Sequence, residues 1–321
     1  MHKLKTTLIL VATCLSTAVF GQQTINKSYT GIKSIRLETA SGSGSIKKSN
    51  SNEVKVTLEY TYDDDDYKPT FEQKGDRLII DEDFNNRGRN WNNRGKAEWT
   101  LELPDGVELD YSSGSGSIEV DGLDIELNVG TGSGSIEVND VTGRMKINTG
   151  SGSIRITKAD GELDANTGSG SIRLRDAKGD ADLNTGSGSI DVDNVQGSFD
   201  LNTGSGSIEA TGITVSGDSD FNTGSGRIAI ELAADLNNDL SINTGSGSAT
   251  LDFNGTDIAG QFYLETDKRR SDITAPFSFD KEYEEEGRGR DNVRQIKEAK
   301  VGSKNIRINM ETGSGDVKIK N

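Results

Sequence analysis

The residues of this chain that could do chemistry are carboxylates. Asp164, Asp182, Asp200 and Asp220 follow one another at two equal steps and a third slightly longer one, each in a short stretch where apolar and polar residues alternate. Such alternation marks a half-buried strand, and stacked strands would set the four side chains in a line about 5 Å apart. Two chemistries use a line of this kind. Paired carboxylates act as acid and base on a glycosidic bond, with Asp182 and Asp200 the obvious pair. Divalent cations are the other option, which makes the same four residues candidate Ca²⁺ ligands and Ca²⁺ the one cofactor to be tested. The plainer reading is a solvated charged face, whose neighbours repel by roughly 3 kcal/mol at an effective dielectric near 20 and by about 1 in bulk water. The loop of calcium-binding β-rolls, G-G-x-G-x-D, is not matched, because the corner here reads GSGS without the Asp. The Asp63–Asp66 run divides the same way, between a solvated run and a weak calcium loop.

Little other chemistry is available. The only His is His2 and the only Cys is Cys14, both in a segment that reads as a removable leader. Without it, zinc and haem sites, disulfides, thiol nucleophiles and Ser-His-Asp triads are excluded. Residues 1–21 have the signature of a signal peptide: Lys3 and Lys5, then an uncharged, mostly apolar stretch from Thr6 to Phe20, with cleavage expected after Gly21. Such a stretch, at about 1.5 Å per residue, falls short of a bilayer of roughly 30 Å, so no transmembrane anchor is expected. Val11-Ala12-Thr13-Cys14 resembles a degraded lipobox, with lipid on Cys14 as the alternative. Thr13 and the apolar residues after Cys14 fit plain export better. The whole chain carries a formal charge of −16, which becomes −18 once Lys3 and Lys5 are removed. Such a chain repels nucleic acid and anionic lipid and attracts cations.

The elements that must position the Asp line come from a repeat. Gly-Ser-Gly recurs from Gly42 to Gly313, and the steps through Gly114, Gly132, Gly150, Gly168, Gly186 and Gly204 are all equal. A strict period of this size signals a solenoid, in which no single rung can bury its own apolar face. The fold class is therefore all-β, a single-chain parallel β-solenoid (β-helix) of about 18-residue rungs, right-handed as parallel crossovers usually are. Inward columns are expected at Ile118, Ile136, Ile154, Ile172, Ile190 and Ile208, and on the opposite strand at Met145, Leu163, Ala181 and Phe199. At the corner, Gly serves either a backbone with φ > 0 or a stack too close for a Cβ, and beside it run columns of Asn and Thr. A phosphate loop is not supported, since neither a Lys nor a helix follows GSGS. On the other face, Glu137–Arg155 and Arg173–Asp191 should pair across rungs.

These motifs resemble the bacterial putative-adhesin family of secreted β-strand-repeat proteins, a domain-of-unknown-function family. The recurrent T-G-S-G-S-I-x-V rungs, the Leu103-Pro104-Asp105-Gly106-Val107 start of the array and the closing Glu311–Val317 rung carry the resemblance over most of residues 30 to 321. It implies a parallel β-solenoid in an extracytoplasmic location and supplies no catalytic residues. The expected organisation is a signal peptide at 1–21 and a β-solenoid domain at 22–321. Loop insertions are expected at about 62–99 and 268–304, the first mobile around Arg87–Asn90 and the second helical over Asp291–Lys300. The spacing from Gly42 to Gly114 equals four periods. Three function classes follow. The first is a non-catalytic, adhesin-like binding or structural protein of the envelope or cell surface, monomeric, with a protein or glycan ligand. The second is a polysaccharide-active β-helix enzyme using acidic residues. The third is an ice-binding protein using the Thr column.

Overall fold

The computed structural model describes residues 21–84, 95–286 and 293–321. The leader with Cys14, and the Arg87–Asn90 stretch with Trp91, lie outside the described residues. Every regular element among the described residues is a strand, and the strands form two 15-stranded sheets. Each rung gives one strand to each sheet. In mid-array Ile154–Asp160 and Ile172–Arg175 belong to sheet 1, Leu163–Thr167 and Ala181–Thr185 to sheet 2.

Pairing is parallel and one to one: Ile154 sits opposite Ile172 and Ile172 opposite Ile190, and Leu163 opposite Ala181 and Ala181 opposite Phe199. This register rules out a meander in which each repeat is one hairpin. Side chains alternate with period two, so one inward residue fixes its whole column inward. Ile154, Ile172, Ile190 and Ile208 are at most 1% exposed and join one continuous core with the opposite column and with Leu123, Val141, Ala159, Ala177 and Val195.

Within or just after its sheet 1 strand, each rung passes through a left-handed residue. Gly122, Asp140, Lys158, Asp176, Asn194 and Gly212 all have φ between 51° and 71°, one in each successive rung. Asn, Asp and Gly tolerate this conformation, whereas a Lys pays a steric penalty of about 1–2 kcal/mol.

Both ends depart from sequence order. The rung at 34–48 stacks directly on the rung at 108–121, through Ile35 opposite Leu109 and Gly44 opposite Ile118. The long interval from Gly42 to Gly114 is thus one step of the stack, not four. The segment between, expected as a loop insertion over 62–99, is mostly strand in its described part. Arg77–Phe84 and Ala97–Leu103 make a rung outside 34–48, and Glu53–Tyr60, Gln23–Thr30 and Tyr67–Lys74 add antiparallel strands beyond it. Tyr60, Tyr62, Tyr67 and Phe84 close this end as an aromatic cluster with ring centroids 4.9–5.2 Å apart. Glu82 ties it down, accepting from the Tyr67 hydroxyl at 2.8 Å and the Trp99 indole at 2.9 Å.

The other end repeats the device. The last rung, Arg307–Thr312 with Val317–Lys320, inserts between the rung at 240–252 and the strands Gly260–Asp267 and Ile273–Thr274. The helix expected over Asp291–Lys300 is instead the strand Val293–Val301 in its described part, antiparallel to Gly260–Asp267 along the whole of that strand. Helical spacing of Ile296 and Ala299 is overridden because an open sheet edge needs a hydrogen-bonding partner, which a helix cannot be. The described part of 268–304 is therefore a cap that includes the strands Ile273–Thr274, Lys281–Glu286 and Val293–Val301.

Two substitutions test this account. Ile172→Asp places a carboxylate in a column of methyl groups and should cost several kcal/mol, whereas Asp200→Asn on the outer face should change the melting temperature little; equal shifts would overturn the inward and outward assignment. Lys158→Asn should stabilise by about 1 kcal/mol in denaturant unfolding, by relieving the left-handed backbone at that position.

Candidate functional site

The corner that joins sheet 2 to sheet 1 builds the most regular surface of the molecule. Its second glycine has no room for a side chain: a Cβ on Gly152, Gly170 or Gly188 would lie 1.8–1.9 Å from the carbonyl oxygen of the corresponding glycine one rung away. Close approach, not positive φ, is what the GSGS corner demands. The preceding Thr is turned inward and holds adjacent rungs together. Thr167 donates its hydroxyl to the Gly152 carbonyl at 2.8 Å and accepts the Gly170 N–H at 3.1 Å, and the same pair of bonds recurs from Thr131 to Thr244. These Thr residues are only 5–6% exposed, so they present no face to ice.

With Thr inward, the Asn before it points outward from sheet 2, half-buried beside the projecting Gly-Ser wall. Asn148, Asn166, Asn184, Asn202, Asn222 and Asn243 line a groove of about 760 Å³ that runs along the stack from Gly130 to Gly313, with Arg294 and Glu311 also in its lining. Amides stack only in part: Asn222 donates to Asn202 and Asn243 to Asn222, each at 3.0 Å. Asn166 also donates to Asn148 at 3.4 Å, and in mid-groove each Asn donates along its own strand. Asn166 donates to Asp164 at 2.5 Å, Asn184 to Asp182 at 2.5 Å and Asn202 to Asp200 at 2.6 Å.

The four Asp residues named from the sequence thus form one column beside the groove. Asp164, Asp182, Asp200 and Asp220 face one another in consecutive strands of sheet 2. Asp182 is held above the usual carboxylate range, chiefly by partial burial, against the Asn184 hydrogen bond and with Asp200 and Asp164 adding like charge. One carboxylate per rung does not make a chelate; among the described residues no three Asp, Glu, His or Cys side chains converge as a metal site. The Asp63–Asp66 run forms a turn, Asp66 N–H and Tyr67 N–H both donating to the Asp63 carbonyl at 3.0 Å.

The matching family profile, Toastrack DUF4097, covers residues 32–261, from the first rung through the array to the strand that begins the C-terminal cap. The chain belongs to this family. No curated protein matches it. It is similar to three crystal structures: a putative cell adhesion protein from Clostridium sporogenes (13% identity, TM-score 0.25, 93% of this chain and 99% of that one); a putative adhesin from Bacteroides fragilis (10%, 0.33, 92% and 96%); and a putative lipid binding protein from Parabacteroides distasonis (12%, 0.37, 94% and 98%).

Elsewhere on the Toastrack stack, the outer face of sheet 1 carries the expected cross-rung ion pairs. Arg155 lies 3.5 Å from Glu137 and Arg173 3.1 Å from Asp191, and Arg175–Asp193 and Arg227–Glu209 extend the series. Exposed pairs of this kind contribute a few tenths of a kcal/mol each. A second concavity of about 760 Å³ opens where the C-terminal cap meets sheet 2, lined by Asp220, Asn309, Tyr263, Lys281 and Arg307 among others. Its half-buried Tyr263 was missed in the sequence because it lies just outside the regular repeat, although Phe262-Tyr263-Leu264 shows the alternation of a strand.

The Asp column makes a two-part prediction. Because burial and like charge raise the folded-state pKa of Asp182, the folded protein binds that proton more tightly than the unfolded chain. Stability therefore falls as pH rises through the upper carboxylate range. Asp182→Asn should raise the melting temperature at pH 7, and the gain should vanish below about pH 4. Monovalent salt should stabilise the wild type by screening. Ca²⁺ at matched ionic strength should add nothing; a Ca²⁺-specific shift lost in Asp182→Asn/Asp200→Asn would establish a cation ladder.

Proposed function

We propose that this Toastrack protein is an exported, monomeric, non-catalytic and adhesin-like protein of the cell envelope, which holds an extended glycan or matrix polymer along the sheet 2 groove. The observation that carries this reading is the repetition of the groove lining. Over three successive rungs the Asp–Asn pairs are the same in type, position and hydrogen bonding. Catalysis needs one place where an acid and a base differ in environment. A lining repeated rung by rung suits a ligand that is itself repetitive, held by many weak contacts that act together. The ligand is not nucleic acid, whose phosphates the Asp column repels.

The second reading, a polysaccharide-active enzyme, draws on Asp182, whose raised pKa is the property of a general acid, with Asp200 in the next rung. Both readings are tested by incubating the protein with a panel of neutral, acidic and amine-bearing polysaccharides, following binding and the release of reducing ends separately. Binding without cleavage is expected, with the affinity falling at least about fivefold in Asn184→Ala/Asn202→Ala. Cleavage abolished by Asp182→Asn would establish the enzyme.

A further inference from the structure

We propose that the concavity where the C-terminal cap meets sheet 2 is a binding cleft for a neutral oligosaccharide, with the ring of Tyr263 as the platform on which one sugar stacks. The cleft shares no lining residue with the Asn-lined groove, and the inference does not need the groove reading.

The first argument is where the repeat is broken. On the outer face of sheet 2 one row of mutually facing residues runs Asp220, Ser241, Asn309, Tyr263, Glu298, Lys281, and all six line the cleft. As far as Asp220 this row is the Asp column; beyond it Ser, Asn and Tyr take over. The core does not call for a Tyr here. Phe262 and Leu264 on either side of Tyr263, and Ile308 and Met310 on either side of Asn309, are the buried residues of their strands, so the row itself faces outward. It crosses six strands, about 24 Å at strand spacing, a length suited to several linked sugars. The volume of about 760 Å³ is that of a small-ligand cleft.

The second argument is how Tyr263 is held. Its hydroxyl donates to Glu265 at 2.8 Å, two residues on along the same strand. That bond lays the ring along the sheet instead of out into water. Glu265 is fixed in turn by Arg294, the two side chains being only 18% and 16% exposed. A half-buried ring fixed in this way presents a flat apolar surface at little ordering cost, which suits the C–H face of a pyranose.

The third argument is what the cleft leaves unsatisfied. Five acids and three cations line it, which disfavours an acidic ligand. Most of these charges are already engaged. Glu298 accepts from Lys281 and from the Tyr283 hydroxyl, and Asp239 from Arg307. Asp280 accepts the Lys300 N–H and Asp218 the Asp239 N–H. Neutral groups of both hydrogen-bonding kinds are left over. Asn309 Oδ1 is closed to water and has no donor, while its Nδ2 is spent on Glu311 at 2.9 Å. The Ser241 hydroxyl accepts the Asn243 amide at 3.0 Å and keeps its own proton to give. Sugar hydroxyls donate and accept without charge and match this pair; an ammonium group has no acceptor for the Ser241 proton.

The test is calorimetric binding of the folded protein to a panel of neutral oligosaccharides of about four to six α- or β-linked pyranose rings, a length that matches the cleft. Oligolysine and oligoglutamate are the charged controls. At least one neutral oligosaccharide should bind, with an affinity that stays within about twofold between low and high salt. Tyr263→Ala should lower that affinity at least about tenfold, whereas Tyr263→Phe, which keeps the ring, should lower it less than about threefold. Ser241→Trp fills the cleft from an outward position and should abolish binding; with melting curves to confirm folding, it decides the matter if Tyr263→Ala does not fold. Asn184→Ala/Asn202→Ala, in the separate groove, should leave the affinity within about twofold. Binding by no neutral oligosaccharide, or binding that both Tyr263→Ala and Ser241→Trp leave intact, would overturn the proposal. So would equal losses from Tyr263→Phe and Tyr263→Ala, since the ring face would then contribute nothing. A charged control binding as tightly as the best sugar would replace the neutral ligand with a charged one. Binding lost only in the Asn pair would sink the cleft and leave the groove reading standing.

Discussion

The structure depends on how closely neighbouring corners approach. With a would-be Cβ less than 2 Å from a carbonyl of the adjacent rung, only glycine lets the rungs settle to strand spacing. The same closeness removes water from the corner, so the Gly carbonyl and N–H need an internal partner. The Thr hydroxyl is that partner, serving as donor to one rung and acceptor from its own. Turning Thr inward leaves the next residue back facing out, which places the Asn column on the surface beside the projecting corner. The groove is a consequence of how the corner is packed.

Stacking identical rungs also stacks identical charges. On sheet 1 the array answers this in part by changing sign along the column, as in Glu137 with Arg155 and Arg173 with Asp191. On sheet 2 the Asp column stays uniform over four strands and meets a cation only at its end, where Lys146 stands opposite Asp164. Repulsion there is moderated by exposure and by Asn amides, leaving Asp182 with a raised pKa.

Open ends are the weak points of any stacked sheet, because unpaired backbone invites further strands. Here each end is closed by a rung taken out of chain order, covered by antiparallel strands and, at the first end, by a cluster of tyrosines around Glu82. The edge strand Lys281–Glu286 carries a dense run of charge, and Tyr67–Lys74 includes Pro69, both features that discourage edge-to-edge pairing.

The array was legible in the sequence because a strict period aligns like with like, so one rung's alternation of inward and outward residues predicts all the others. The Ile columns, the outward Asp line and the ion pairs of sheet 1 all follow from that local rule. The rest depended on contacts between segments distant in the chain. Whether the corner glycine answers to φ or to crowding is decided by the neighbouring rung, not by its own turn. That 34–48 stacks on 108–121, and that 307–320 inserts beside 240–252, depends on which partners satisfy two exposed sheet ends. The strand at Val293–Val301 overrides a helical pattern for the same reason. The sequence alone therefore determined what repeats, since repetition is a local property of side-chain pattern. Tertiary structure decided how the repeat begins and ends and where its groove lies, since those are settled by backbone groups that must find partners across the fold.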